Sequence, residues 1–202
     1  YSNATTATLN LTSVPPTANN NQYRCIVTGT CAPAATSNAG ILTVNTSPFI
    51  TNHGVNRTIC EGDNTTFDVA AIGAALTYQW QSSTDGGTTY NNVVNAGIFS
   101  NATTASLTIT SAVATASSTL FRCVLGGSCP PGVTSAPRLL VVNSLPTINV
   151  QPVDRVICDG GSTTFDVNTS GTGLSFQWQV SVNGGGTWNN LTNTGIYSNT
   201  TA

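Results

Sequence analysis

Thr65-Thr-Phe-Asp-Val-Ala-Ala-Ile-Gly-Ala-Ala-Leu-Thr-Tyr-Gln-Trp-Gln81 decides how this chain folds. Phe67, Val69 and Ala71 stand at alternate positions, and so do Leu76, Tyr78 and Trp80 beyond Gly73. A period of two places alternate side chains on one face of an extended strand. The stretch therefore predicts two consecutive strands, each with one apolar face, and Trp80 is the largest side chain on that face.

The same stretch returns 98 residues later as Thr163-Thr-Phe-Asp-Val167 and Phe176-Gln-Trp-Gln179. Working outward, the offset holds without a gap. Tyr23-Arg-Cys25 matches Phe121-Arg-Cys123, and Ile59-Cys-Glu-Gly62 matches Ile157-Cys-Asp-Gly160. Tyr1-Ser-Asn-Ala-Thr-Thr-Ala7 returns at Phe99 and begins again at Tyr197. A fixed period of domain size predicts an array of similar modules. The expected division is a C-terminal half-module at 1–46, a complete module at 47–145 and an N-terminal half-module at 146–202. The window is expected to belong to a longer polymer.

Helical patterning is absent, and short alternating runs bounded by Gly, Asn and Pro fill the complete period. In order they are an edge segment at 49–60, then 65–71, 76–82, 88–94, 105–110, 120–125 and 139–142. About seven short strands in one period, with evenly spaced turn signals, predict an all-β antiparallel sandwich. Its expected core includes Phe67, Val69, Trp80 and Phe121. The partial modules repeat it with Phe165, Val167 and Trp178 on one side and Tyr23 on the other.

Charge is sparse: five Arg, no Lys, seven acidic residues and one His, for a net charge of −2. Nothing forms a basic patch, which argues against nucleic acid as a partner. No apolar run approaches the length that spans a bilayer. Solubility must come from Thr, Asn, Ser and Gly, a surface more typical of secreted fibres than of cytosolic enzymes.

Three features resemble an immunoglobulin-like domain in particular. Glu61-Gly62 precedes the alternating strand 65–71; Trp80 follows Val69 by eleven residues; Phe121-x-Cys123 and Tyr23-x-Cys25 sit where a corner aromatic and a sixth-strand Cys belong. The second-strand Cys of such domains is missing, since Val69 and Val167 take its place, so the ordinary inter-sheet disulfide cannot form. Taken together with Asn/Asp-Gly-Gly, Tyr-Ser-Asn and Leu-x-Val-Asn, the pattern resembles tandem immunoglobulin-like repeats of large cell-surface or secreted adhesins of Bacteroidota, gliding-type adhesins among them. That resemblance implies a stalk or filament role, a cell-surface or extracellular location, and partners that are copies of the same module in the same chain or in neighbouring subunits.

The six cysteines recur at fixed places, and disulfides in an oxidising compartment suit them better than metal ligation, because no C-x-x-C pair occurs and His53 is not repeated. The five-residue spacing of Cys25 with Cys31, and of Cys123 with Cys129, suits a hairpin disulfide. A bond across the module joint involving Cys60 or Cys158, or one from Cys60 to Cys123 or Cys129, remains open. The joints Val44-Asn-Thr-Ser-Pro48 and Val142-Asn-Ser-Leu-Pro146 are short and carry a Pro at the same place, which predicts a preferred angle between neighbours.

Other polar residues invite bland readings. Asp68 and Asp166 should face solvent, with an Arg ion pair as an option. Glu61, Asp63 and Asp159 are thin for a calcium site. His53 has no nucleophile pattern around it, so no catalytic residue, metal or cofactor is expected. Trp188, in place of Tyr90, could stack on a sugar, which leaves a glycan- or surface-binding module as the alternative reading. A third reading is an accessory region of a secreted enzyme.

Overall fold

A computed structural model describes residues 4–201; Tyr1, Ser2, Asn3 and Ala202, with the start of the Tyr1 landmark, lie outside them. The chain is all-β, an immunoglobulin-like sandwich in its middle period. Before it come four short strands, β1 (Gln22–Tyr23), β2 (Ile26–Val27), β3 (Ala35–Thr36) and β4 (Gly40–Ile41). β1 pairs with β4 and β2 with β3, both antiparallel.

The middle period holds β5 (Phe49–Asn52), β6 (Arg57–Cys60), β7 (Thr65–Asp68), β8 (Ala70–Ile72), β9 (Thr77–Ser83), β10 (Asn91–Asn92), β11 (Phe99–Ser100), β12 (Ser106–Ile109), β13 (Thr119–Gly126), β14 (Val133–Thr134) and β15 (Arg138–Asn143). One sheet runs β10-β9-β13-β15-β6, with β14 also on β13. Against it lies β11-β12-β7, with β5 and β8 forming a separate two-stranded pair. The final period holds β16 (Thr147–Val150), β17 (Asn168–Ser170), β18 (Gln179–Val180) and β19 (Asn189–Asn190), paired β16–β17 and β18–β19.

The edge segment expected at 49–60 is two strands, in different sheets. β5 runs antiparallel to β8, while β6 runs parallel to β15. The switch occurs at Gly54, whose φ of +72° lies in the left-handed region. A Cβ there would collide with the Asp68 carbonyl oxygen, so only glycine lets the backbone pass that close. The strand expected at 65–71 likewise breaks at Val69, where the partner changes: β7 pairs with β12, and the Val69 N–H still donates to Ala105 O at 3.0 Å in that register, whereas β8 pairs with β5. The run expected at 88–94 shortens to β10, because Asp85 ties up the backbone ahead of it.

The core lies between the two sheets. Phe67, Trp80, Leu107, Ile109, Phe121, Cys123, Leu125 and Leu140 are almost completely buried. Phe67 stacks on Phe121 with centroids 5.0 Å apart, and Phe99 meets Phe121 at 5.9 Å. Gln79 caps the same layer, its Nε2 donating to Trp80 O at 2.8 Å and Val93 O at 3.0 Å.

Local contacts recur at the 98-residue offset. Gln177 Nε2 donates to Trp178 O and Leu191 O, both at 2.9 Å. Trp178 N donates to Thr200 O at 2.8 Å, as Trp80 N does to Ala102 O. Cys25 N and Cys123 N both donate to a serine Oγ, of Ser37 and Ser135, at 2.9 Å.

The outer core residues depart from expectation. Phe165 is 52% exposed where Phe67 is 1% exposed. Val167, Trp178 and Tyr23 are half-buried. The cause is visible in the middle period: Phe67 is covered by Leu107, Ile109 and Phe121, and the positions 98 residues beyond those fall past residue 202.

Candidate functional site

The chemistry-bearing residues do not converge on a pocket. His53 Nδ1 accepts the Ala136 N–H at 3.0 Å, and its carbonyl accepts Arg138 Nε at 3.1 Å, so the histidine fastens the sheet switch to the start of β15. Glu61 Oε1 accepts Ala114 N at 3.3 Å and Asp63 Oδ2 accepts Cys60 N at 3.0 Å. Both acids thus bind backbone at a turn. No group of three or more His, Cys, Asp or Glu stands close enough to hold a metal among the described residues.

Asp68 and Asp166 face outward and meet arginines: Arg57–Asp68 is 3.4 Å and Arg155–Asp166 is 3.7 Å. Each arginine also donates through Nε to the carbonyl two residues before the acid, Thr66 O and Thr164 O. These are exposed pairs that hold β6 and its counterpart against the second sheet; such pairs contribute about 0–1 kcal/mol each.

Asp85 builds the β9–β10 turn. Its Oδ1 accepts Ser83 Oγ at 2.7 Å, and its carboxylate accepts Thr89 N at 3.0 Å and Thr89 Oγ1 at 2.5 Å. The Thr89 and Ser83 hydroxyls and the Thr89 N–H hold this carboxyl far below the usual carboxylate range. Beside the turn, the Arg122 guanidinium lies 3.7 Å above the Tyr90 ring and its Nε donates to Gln81 Oε1 at 2.9 Å. Trp188, at the Tyr90 position of the next period, is 59% exposed.

All six cysteines are free thiols. The hairpin pairing of Cys123 with Cys129 is not made, and the register explains why. Cys123 sits opposite Trp80, three residues before Gly126, and Ser135 closes its other side. Cys129 lies past the strand end, where Ser128 N already reaches Ala74 O. Three extended residues span about 10 Å, beyond the reach of a disulfide. Cys25 repeats this, with Ser37 in the facing place and Cys31 out in the loop. Burial pushes the Cys123 thiol up to about 11. Cys60 and Cys158 are exposed.

The joints are the best-formed feature that the core does not absorb. Cys129 Sγ donates to Asn45 O at 3.4 Å, and Ala74 N donates to Thr46 O at 3.1 Å. At the second joint Thr172 N donates to Ser144 O at 3.2 Å, while Ser144 N donates to Thr172 Oγ1 at 3.0 Å. On the other side Val142 N donates to Ser117 Oγ and Glu61 N to Asn143 O. The linker is therefore gripped from both directions, with no slack residue between. Gly73 and Gly171, at φ of +150° and +145°, let the following sheet close on the linker: a Cβ would stand 3.0 Å from Pro48 Cα or Pro146 Cα. Sequence reasoning found the prolines but not these glycines or Thr172, whose partners are more than twenty residues away.

A family model described as a domain of unknown function, DUF8696, matches residues 51–144. No curated protein matches the chain. Among solved structures, an I-band fragment of titin aligns with TM-score 0.52 at 15% identity, covering 66% of this chain and 46% of that one. The N-terminal four immunoglobulin domains of Dscam1 align with TM-score 0.48 at 15% identity, covering 82% of this chain and 44% of that one. The chain spans under half the length of either. At this identity the titin likeness shows the immunoglobulin-like fold and nothing beyond it.

Proposed function

We propose that this chain is a structural stretch of tandem immunoglobulin-like modules, divided at 1–46, 47–145 and 146–202, that serves as a semi-rigid spacer in an extracellular stalk or surface filament. The observation that carries this reading is the pair of joints, where equivalent linkers are held by equivalent carbonyl contacts and Gly–Pro packing. A repeated angle and rise extend into a rod or a gentle helix. Strands of this length give modules of roughly 35–45 Å along the axis. The resemblance to Bacteroidota adhesin repeats and the charge-poor, Thr- and Asn-rich surface support the extracellular placement.

The reading assigns no catalytic role. His53 is occupied by backbone contacts, and the acids serve turns or pair with arginine. The glycan-binding alternative would rest on Trp188, whose counterpart Tyr90 is covered by Arg122.

Small-angle scattering from dilute, reduced chain tests the spacer directly. A skewed distance distribution with a long tail is expected. A single symmetric peak, as from one compact globule, would refute the in-line arrangement.

A further inference from the structure

We propose that Asn183 is a self-modifying residue: its side chain closes on the Gly184 backbone nitrogen and opens again to aspartate, which gives the final period the turn that Asp85 builds in the middle one. The proposal is independent of the spacer reading, and its failure would leave that reading untouched.

Asn183-Gly184 is the only Asn-Gly pair in the chain. A glycine after asparagine leaves the attacking nitrogen unshielded, because no Cβ crowds it. Here a Cβ built on Gly184 or Gly185 would meet nothing within 4 Å, so the turn stands open. The complete module has the same openness, since Asp85 is exposed there.

The turn holds the reacting atoms in distinct states. Among the described residues, the Gly184 N–H has no hydrogen-bond partner, while the Asn183 and Gly185 N–H groups on either side reach Ser181 Oγ at 3.5 and 2.8 Å. Asn183 Oδ1 accepts two hydrogen bonds of 2.9 Å, from the Ser181 hydroxyl and from Thr187 N. Ser181 Oγ takes the Gly185 N–H on a lone pair, which leaves its own proton for Oδ1. Two preset donors on a carbonyl oxygen stabilise the negative charge that develops there when a nucleophile adds to the carbon. Nδ2, the leaving group, donates to Thr187 Oγ1 at 3.0 Å.

The chemistry balances with water as its one co-reactant. Gly184 N gives up its proton and bonds to Asn183 Cγ. The Cγ–Nδ2 bond breaks, and Nδ2 leaves as ammonia with that proton, so a five-membered succinimide remains. Water then adds its hydroxyl to Cγ, the bond from Cγ to Gly184 N breaks, and the nitrogen regains a proton beside a carboxylic acid that ionises. Opening at the main-chain carbonyl instead would give isoaspartate, with an extra methylene in the backbone.

The middle period shows why aspartate is retained. Asp85 accepts Ser83 Oγ at 2.7 Å, Thr89 N at 3.0 Å and the Thr89 hydroxyl. Thr187 has only to rotate its hydroxyl from acceptor to donor to match, and bonds to a charged acceptor are the stronger ones. Isoaspartate misplaces the carboxylate for these contacts, and re-closure of the ring drains it toward aspartate. The conversion adds one negative charge to a chain whose net charge is −2.

The test follows freshly purified 202-residue chain in mildly alkaline buffer by mass spectrometry and peptide mapping. Asn183 should show the mass gain of an amide-to-acid exchange before any other asparagine, with aspartate as the main product by electron-transfer fragmentation. The folded chain should convert about tenfold faster than the same chain in urea, the factor that one net hydrogen bond can supply. Ser181→Ala removes one donor and should slow conversion by about the same factor. Asp85→Asn sets the same pair into the complete module, and the asparagine placed there should revert to aspartate. Conversion that is as fast or faster in urea or in Ser181→Ala means the turn shields the pair, which overturns the proposal. So does an Asn183 that stays intact, a product that is mainly isoaspartate, or an amide that persists in Asp85→Asn.

Discussion

Phe67 and Phe165 are the same residue in the same local sequence, and their surroundings differ completely. One is stacked on Phe121 and sealed; the other is half in water. Local pattern sets which face a side chain takes, but burial requires the opposing sheet. Their truncations should therefore diverge. Phe67→Ala is expected to cost about 3–5 kcal/mol of stability, the range for removing a core phenylalanine. Phe165→Ala should cost under about 1 kcal/mol in monomeric chain. Chemical denaturation of the two variants at low concentration checks this, and equal losses would contradict the half-covered outer sheet. Cys123 teaches the same lesson. The Phe121-Arg-Cys123 motif marks the sixth-strand cysteine, and its spacing to Cys129 suits a hairpin bond, but the hairpin register puts Ser135 where the pairing needs a thiol.

At the scale of elements, turns were legible where their side chains bond locally. Asp85-Gly-Gly and Asn183-Gly-Gly build the same turn, with Asn183 Oδ1 accepting Thr187 N at 2.9 Å and Nδ2 donating to Thr187 Oγ1 at 3.0 Å. Asp85→Asn should therefore keep the loop near neutral pH, while Asp85→Ala should lower Tm. The carboxyl is held below its unfolded value, so its contribution is present above the ordinary range near ~3.9 and lost as pH falls through the folded value. The Tm difference between the parent chain and Asp85→Asn should stay flat from neutral pH down to about pH 5 and change only in stronger acid. A difference that changes around neutral pH would point to some other group. The β5–β6 switch was less legible, because nothing near Gly54 in sequence announces the Asp68 carbonyl that passes beside it.

For the whole molecule, the joints decide whether modules act as a rod. Gly171 sits at φ +145° with Leu145 O and Pro146 Cα at 3.0 Å from any added Cβ. Gly171→Ala should push the linker off its seat. Limited proteolysis between residues 143 and 149 is expected to quicken about tenfold, from roughly 1–2 kcal/mol of local strain. Unchanged cleavage would show that the contacts at Ser144 and Thr172 do not restrain the joint.

By itself the amino-acid order settled the strand periodicity, the apolar face of each strand, the 98-residue recurrence and the sandwich class, since all four depend on neighbours along the chain. Folding in three dimensions decided the rest: the crossing of Arg57–Cys60 to the other sheet, the separation of the cysteines, the grip on each linker and the exposure of Phe165. Those outcomes depend on which distant strand arrives opposite, and a period of two carries no information about the partner across the gap.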